Sequence, residues 1–342
     1  MTDIPATKRS SPIVELRNVH MHFDVSGGRM LQAARDVGFR IDAGEILTMV
    51  GESGCGKSTV GKMALGVLRP SQGEVLFDGR SIWDRKFRMD RRTRCMVQVV
   101  HQDSYASLNP VRTVYQTLAA VLRFHGITKG RKDTEQRVLE LLGSMGLNPP
   151  EYFVNKHPFQ LSGGQRQRVS IVRATILEPK LIIADEPVSA VDVSLRLAII
   201  DLMKRLNRDK GIAFLYITHD LATARYFAEN GRIIVMYLGR MVETGVVGEC
   251  IQRPAHPYLR ALLSAIPSAG PAAGGTPKAL PLKSVEMPNP LDPPSGCVFR
   301  PRCPYESGIC SEKVPALRPV AGDGPGHRVA CHNADKLPPR AA

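Results

Sequence analysis

The sequence predicts an α/β fold built on a mixed, mostly parallel β-sheet, with a helical block inserted into it and a proline-rich extension behind it. Three observations carry this. Short apolar, β-rich runs alternate with helical stretches, the pattern of strands covered on both faces. No convincing strand falls between about residues 113 and 179. Fifteen of the 26 prolines lie after residue 266, in a stretch that buries little core alone.

Strands are expected at residues 13–19, 37–41, 46–50, 74–77, 96–100, 181–184, 212–217 and 233–236. Helices are expected at 57–67, 193–206 and 221–228. Residues 113–179 read as the inserted helical block of a domain spanning 1–266, and 267–342 as a separate C-terminal region. There is no internal repeat. The 342 residues, 43% of them hydrophobic, suffice for one large core plus an appendage.

No run approaches the 18 or so apolar residues of a membrane span. The first twelve residues, MTDIPATKRSSP, lack the apolar core of a secretory signal. A cytoplasmic protein able to dock on a membrane partner is expected. The net charge is +14, but the basic residues are scattered apart from 85–94 (RKFRMDRRTR). Few aromatics accompany them, as base stacking would require, so nucleic acid is not an expected partner. Seven cysteines, an odd number, argue against a disulfide framework.

The segment ILTMV-GESGCGKST reads as strand, glycine-rich loop and helix start. Gly51, Gly56, Lys57 and Ser58 match G-x-x-x-x-G-K-[ST]. Backbone amides of such a loop wrap phosphate oxygens, and the helix adds its positive end. The expected binding residues are Gly51, Glu52, Ser53, Gly54, Cys55, Gly56, Lys57, Ser58 and Thr59. Lys57 would reach the β- and γ-phosphates and Ser58 would hold Mg²⁺. Alone, the motif fits any P-loop enzyme.

In LIIADEP a buried strand ends in two carboxylates. Asp185 is suited to hold the Mg²⁺ shell and Glu186 to polarise an attacking water. A carboxylate at a sheet edge is usually only solvated; the phosphate loop favours the functional reading. In LSGGQ, Ser162 and Gln165 also fit a capping box. Such a box does not need Gly163 and Gly164 between them. Small residues at an exposed helix start admit something anionic.

LSGGQ between this loop and ADEP resembles the signature of ABC-type ATPases, over at least residues 13–265. The resemblance implies a P-loop NTPase fold, the ABC cassette, hydrolysing ATP with Mg²⁺. It implies two subunits head to tail, with Ser162, Gly163, Gly164 and Gln165 acting on ATP in the other subunit. Gln102 is similar to the glutamine that touches Mg²⁺ and water, giving Ser58, Gln102 and Asp185 as the Mg²⁺ set. His101, before it, is usually aromatic or apolar in relatives. Residues 189–192 (SAVD) resemble the loop crossing the dimer interface. His219 matches the switch histidine, and Phe23 the aromatic that stacks on adenine. Lys57, Gln102, Glu186 and His219 are thus the expected catalytic set.

GESGCGKST, YASLNP, SGGQRQR, AHPY and the cysteine-bearing tail are similar to the dipeptide/oligopeptide and nickel importers, and most like the second of their two ATPase subunits. That implies a non-identical ATPase partner in a heterodimer, two permease subunits and an extracytoplasmic solute-binding protein. It places the chain peripherally, at the cytoplasmic face of the membrane. Peptides are the expected solute; a nickel chelate, glutathione or an opine remains open. A soluble ABC ATPase of DNA repair or ribosomes usually has two cassettes or a coiled-coil insertion, and this chain has neither. A non-hydrolysing regulatory module would lack Glu186 or His219. Cys297, Cys303, Cys310 and Cys331 are spaced C-x5-C-x6-C-x20-C. Four thiolates could hold an Fe–S cluster, zinc, or nothing; some relatives carry a [4Fe–4S] cluster here, which makes the cluster the first expectation. Cys55, Cys95 and Cys250 are expected to be inert.

Overall fold

The structure, a computed structural model, describes residues 11–25, 27–84, 91–265, 282–324 and 326–337. The boundary expected at 266/267 and most of the basic run 85–94 lie outside the described residues. Twelve strands are described: β1 (Val14–Val25), β2 (Arg29–Ile41), β3 (Ile46–Val50), β4 (Gln72–Phe77), β5 (Arg80–Ser81), β6 (Val97–Val100), β7 (Leu181–Asp185), β8 (Ala213–Thr218), β9 (Arg232–Tyr237), β10 (Arg240–Val246), β11 (Arg318–Pro319) and β12 (Arg328–Val329).

They form two sheets. The larger runs β11-β12-β10-β9-β3-β8-β7-β6. Its five strands from β9 to β6 are parallel, and β10, β12 and β11 are added antiparallel. β3, β7 and β8 are continuous apolar runs because helices cover both faces. The smaller sheet is antiparallel, in order β2-β1-β4-β5. The expected strands at 13–19 and 37–41 are longer than their apolar cores, since β1 and β2 continue outward as a partly solvated ribbon.

Residues 113–179 hold helices Val114–Phe124, Arg131–Ser144, Glu151–Val154 and Gly163–Thr175. They share one apolar core with β7 and β8 through Ile182, Ala184, Phe214 and Tyr216. Helix Lys57–Ala64 stops three residues short of expectation, where Gly66 turns left-handed at φ 76°.

The C-terminal region has no core of its own and adds to the cassette's. Cys297, Val298, Phe299, Cys303 and Cys310 pack with Val50, Val235, Tyr237 and Tyr258. A buried polar latch closes the same edge. His327 hydrogen-bonds Glu243 of β10 at 2.9 Å and Asp323 at 2.7 Å, all three side chains at most 1% exposed. Arg253 pairs with Asp323 from outside. No described helix is long and apolar enough to cross a membrane.

Candidate functional site

The phosphate loop joins β3 to helix Lys57–Ala64. Its glycines are required sterically. Gly56 lies at φ 103°, and a Cβ there would meet the Ala33 carbonyl oxygen at 2.1 Å. At Gly51 (φ 156°) a Cβ would meet the Met236 carbonyl oxygen at 2.3 Å. The buried Lys57 ammonium donates to the carbonyls of Gly51 (2.7 Å) and Glu52 (2.9 Å), which hold it inside the loop.

The loop lines a cavity of about 310 Å³. Of the expected binding residues, Phe23, Ser53, Gly54, Cys55, Gly56, Lys57, Ser58 and Thr59 line it, with Gln102 and Glu186. Gly51 and Glu52 lie behind it. Cys55 takes part through its backbone. Its thiol is 1% exposed, 4.0 Å from the Lys57 ammonium, and pushed up in pKa by burial.

β7 and β8 deliver the carboxylates and the histidine from adjacent strand ends. The Ser58 hydroxyl donates to Asp185 Oδ1 at 3.1 Å. Burial raises the Asp185 pKa, against the bond from Ser58. Glu186 is left-handed, φ 47°, and its amide donates to the Ile217 carbonyl at 2.8 Å. A non-glycine residue held so by its surroundings carries strain of the kind found at functional sites. Its two oxygens are gripped from opposite sides. Gln102 Nε2 donates to Oε2 at 3.0 Å, and His219 Nδ1 stands 3.2 Å from Oε1. Five residues, Ser58, Gln102, Asp185, Glu186 and His219, from three strand ends and the phosphate loop's helix thus converge beside the cavity.

Ser162, Gly163, Gly164 and Gln165 are not brought to this cavity. They open helix Gly163–Thr175 as a complete capping box: the Gln165 amide donates to Ser162 Oγ (3.3 Å), and the Ser162 amide to Gln165 Oε1 (3.0 Å). The capping box is therefore realised, and it leaves Ser162 exposed on the surface. Residues 189–192 lie beside this turn, with the Ala190 carbonyl 3.1 Å from where a Cβ on Gly163 would be.

Several contributors were not among the expected site residues. Pro290, from the C-terminal region, lines the same cavity as the phosphate loop. Tyr258 Oη accepts the Glu52 amide at 2.8 Å. Arg302 reaches the Glu52 carboxylate. Tyr258 and Arg302 lie 206 and 250 residues from Glu52, so no local pattern could reveal these contacts.

The four C-terminal cysteines do come together, lining one small pocket with Phe299 and Asn333. Burial pushes the thiol pKa up for Cys297, for Cys303 to about 11 and for Cys331 to about 12. Backbone amides oppose this by donating to the sulfurs: Phe299 and Arg300 to Cys297, Tyr305 to Cys303, Asn333 to Cys331. The Asn333 amide group also donates to Cys310 Sγ at 3.8 Å. Such donors favour thiolates, the form that binds metal.

Comparison with known proteins agrees with this geometry. The ABC transporter family matches residues 34–189, and the oligopeptide/dipeptide transporter C-terminal region matches 242–310. The chain is 39% identical over 333 residues to the oligopeptide transport ATP-binding protein OppF of Salmonella typhimurium, covering 95% of this chain and 97% of that one. It is 40% identical over 327 residues to AppF of Bacillus subtilis, covering 94% and 97%. The chain belongs to the ABC transporter ATP-binding proteins that carry this C-terminal region. Among solved structures, the ABC cassette MJ0796, a dimer bound to ADP and Pi, superposes with a TM-score of 0.59 at 31% identity, over 68% of this chain and 98% of that one. The fold is the ABC cassette, and the enzyme is an ABC ATPase that uses ATP.

Proposed function

We propose that this ABC ATPase energises the import of di- or oligopeptides, docked peripherally on two permease subunits at the cytoplasmic face of the membrane and served by an external solute-binding protein. The observation that carries the chemistry is the grip of Gln102 and His219 on Glu186 beside the phosphate loop. The names of the relatives support the solute. In this reading the loop amides and Lys57 bind the phosphates of ATP, and Phe23 stacks on the base. Glu186 orients and polarises the attacking water, with its position set by Gln102 and His219. His219 faces the transferring phosphoryl group. The donor set Ser58, Asp185 and Gln102 suits Mg²⁺: two oxygens already 3.1 Å apart and an amide at the same edge. Mg²⁺ would neutralise charge on the phosphoryl oxygens.

The exposed Ser162, at the head of the turn Ser162–Gln165, supports a second chain closing over the nucleotide. We infer a heterodimer with a related ATPase subunit, in which each turn completes the other's site. Co-purification with a second ATPase and two permeases, and uptake of labelled peptide by the reconstituted complex, test both points. Uptake of nickel chelate, glutathione or an opine in place of peptide would overturn the solute.

For the cysteine pocket we propose a [4Fe–4S] cluster. The four cysteines share one small pocket with Phe299 and Asn333. The amide donors to the sulfurs fit a cluster whose potential is set by such bonds. Anaerobic purification should give a brown protein with about four irons per chain. A colourless protein holding one zinc would overturn it.

A further inference from the structure

A second cavity, of about 490 Å³, lies between the edge of β2, the start of β10 and the C-terminal region. Its charged lining is unbalanced. Arg35, Arg240 and Arg328 stand against a single carboxylate, Asp36, and the sulfur of Cys297; Asp36 Oδ1 already accepts from Asn18 at 2.7 Å. Arg35 is 8% exposed. The Nε atoms of Arg35 and Arg240 are buried without a hydrogen-bond partner among the described residues. Burial and the neighbouring Arg240 both press the Arg35 pKa down. A folded chain rarely buries two guanidinium nitrogens side by side and leaves them without partners. Arginine in such a setting is the residue that binds phosphate and carboxylate through paired donors. The size is that of a small-molecule site, and Val242, Val298 and Leu317 supply an apolar wall.

We propose that this cavity is a binding site for a small ligand bearing an oxyanion, phosphate or carboxylate, held by Arg35 and Arg240 with Arg328 at the rim. Arg328 is exposed and is tethered by Nη2 to the Leu317 carbonyl at 2.8 Å, which leaves the rest of its guanidinium for the ligand. Arg35 also lines the nucleotide cavity, so the anion has to be distinguished from the phosphates of ATP.

The full-length chain, saturated with the non-hydrolysable analogue Mg-AMP-PNP to fill the phosphate loop, is titrated with inorganic phosphate or citrate. Sodium chloride at matched ionic strength is the control. The melting temperature should rise with one of the two oxyanions beyond the chloride control, and which one responds identifies the group recognised. Arg240→Met should weaken that response at least about tenfold and leave the AMP-PNP shift intact. Arg328→Met, on the exposed rim, should weaken it about threefold. Without oxyanion, Arg240→Met should melt no lower than the wild type, because it removes a charge repelled by Arg35. A purely structural arginine gives the opposite, a lower melting temperature without anion, and that result would overturn the proposal. So would a wild type that responds to neither anion, or variants that respond as the wild type does.

Discussion

Arg302 and Glu52 stand 250 residues apart, yet Arg302 Nη1 donates to both carboxylate oxygens of Glu52, at 2.9 and 2.8 Å. Glu52 belongs to the phosphate loop, and its carbonyl holds the Lys57 ammonium. Arg302 immediately precedes Cys303 and is 6% exposed, against the rings of Tyr237 and Phe299. The C-terminal region therefore braces the phosphate loop.

Arg302→Ala should raise KM for ATP about five- to tenfold with kcat little changed, on the order of 1 kcal/mol of lost ground-state support. The magnitude is modest because the Glu52 side chain keeps 29% of its exposure. Glu52→Gln should act alike, and the double variant should be no worse than either single one, as expected of one shared interaction. Steady-state kinetics on all three variants check this. Additive effects would show that Arg302 acts elsewhere.

Glu186→Gln keeps the shape of the side chain and the bond from Gln102, and loses the charge facing the water. Turnover should fall about a hundredfold or more, with ATP affinity within about twofold of the wild type. Single-turnover hydrolysis beside equilibrium nucleotide titration separates the two. Near-normal turnover, in a complex whose partner site is disabled, would remove Glu186 from the mechanism.

Gly56→Ala places a methyl group 2.1 Å from the Ala33 carbonyl oxygen and forces φ 103° on a residue with a Cβ. The expected cost is about 1–3 kcal/mol of stability, together with loss of ATP binding as the loop moves. Denaturant unfolding with and without Mg-ATP reads both: the variant should unfold earlier and lose the shift that the nucleotide confers.

The His327 latch makes stability depend on pH. Burial lowers the imidazole pKa, but its bonds to Glu243 and Asp323 outweigh that and leave it raised. A raised folded-state value contributes stability that is full below the unfolded value, about 6.5, and is lost as pH rises through the folded value. Melting temperature should therefore decline on the alkaline side of pH 6.5. His327→Ala should flatten that decline and cost about 3 kcal/mol or more, since it strands two buried carboxylates. A wild-type melting curve indifferent to pH across this range would refute the assignment.

The chemistry of the nucleotide site was legible because each piece is local. GESGCGKS codes a loop whose glycines admit no side chain, LIIADEP a buried strand ending in carboxylates, and LSGGQ a capped helix start. Order along the chain then implied the cassette. The periodicity also marked the parallel strands and the helical block. It did not mark β10, whose partly polar run carries the buried Glu243 at its centre. Nor did it mark β11 and β12, whose two-residue pairings carry no periodic signal.

The sequence by itself determined the candidate site residues, the ATPase class and the parallel core, because short motifs and continuous apolar runs carry them. Only the tertiary structure decided how the C-terminal region is used. A proline-rich stretch without its own core has to borrow one, and it does so beside the phosphate loop. That docking sets Arg302 on Glu52, gathers four cysteines spread over residues 297–331 into one pocket, and closes the arginine-lined cavity. Each joins groups distant in sequence, and such distances are fixed by packing alone.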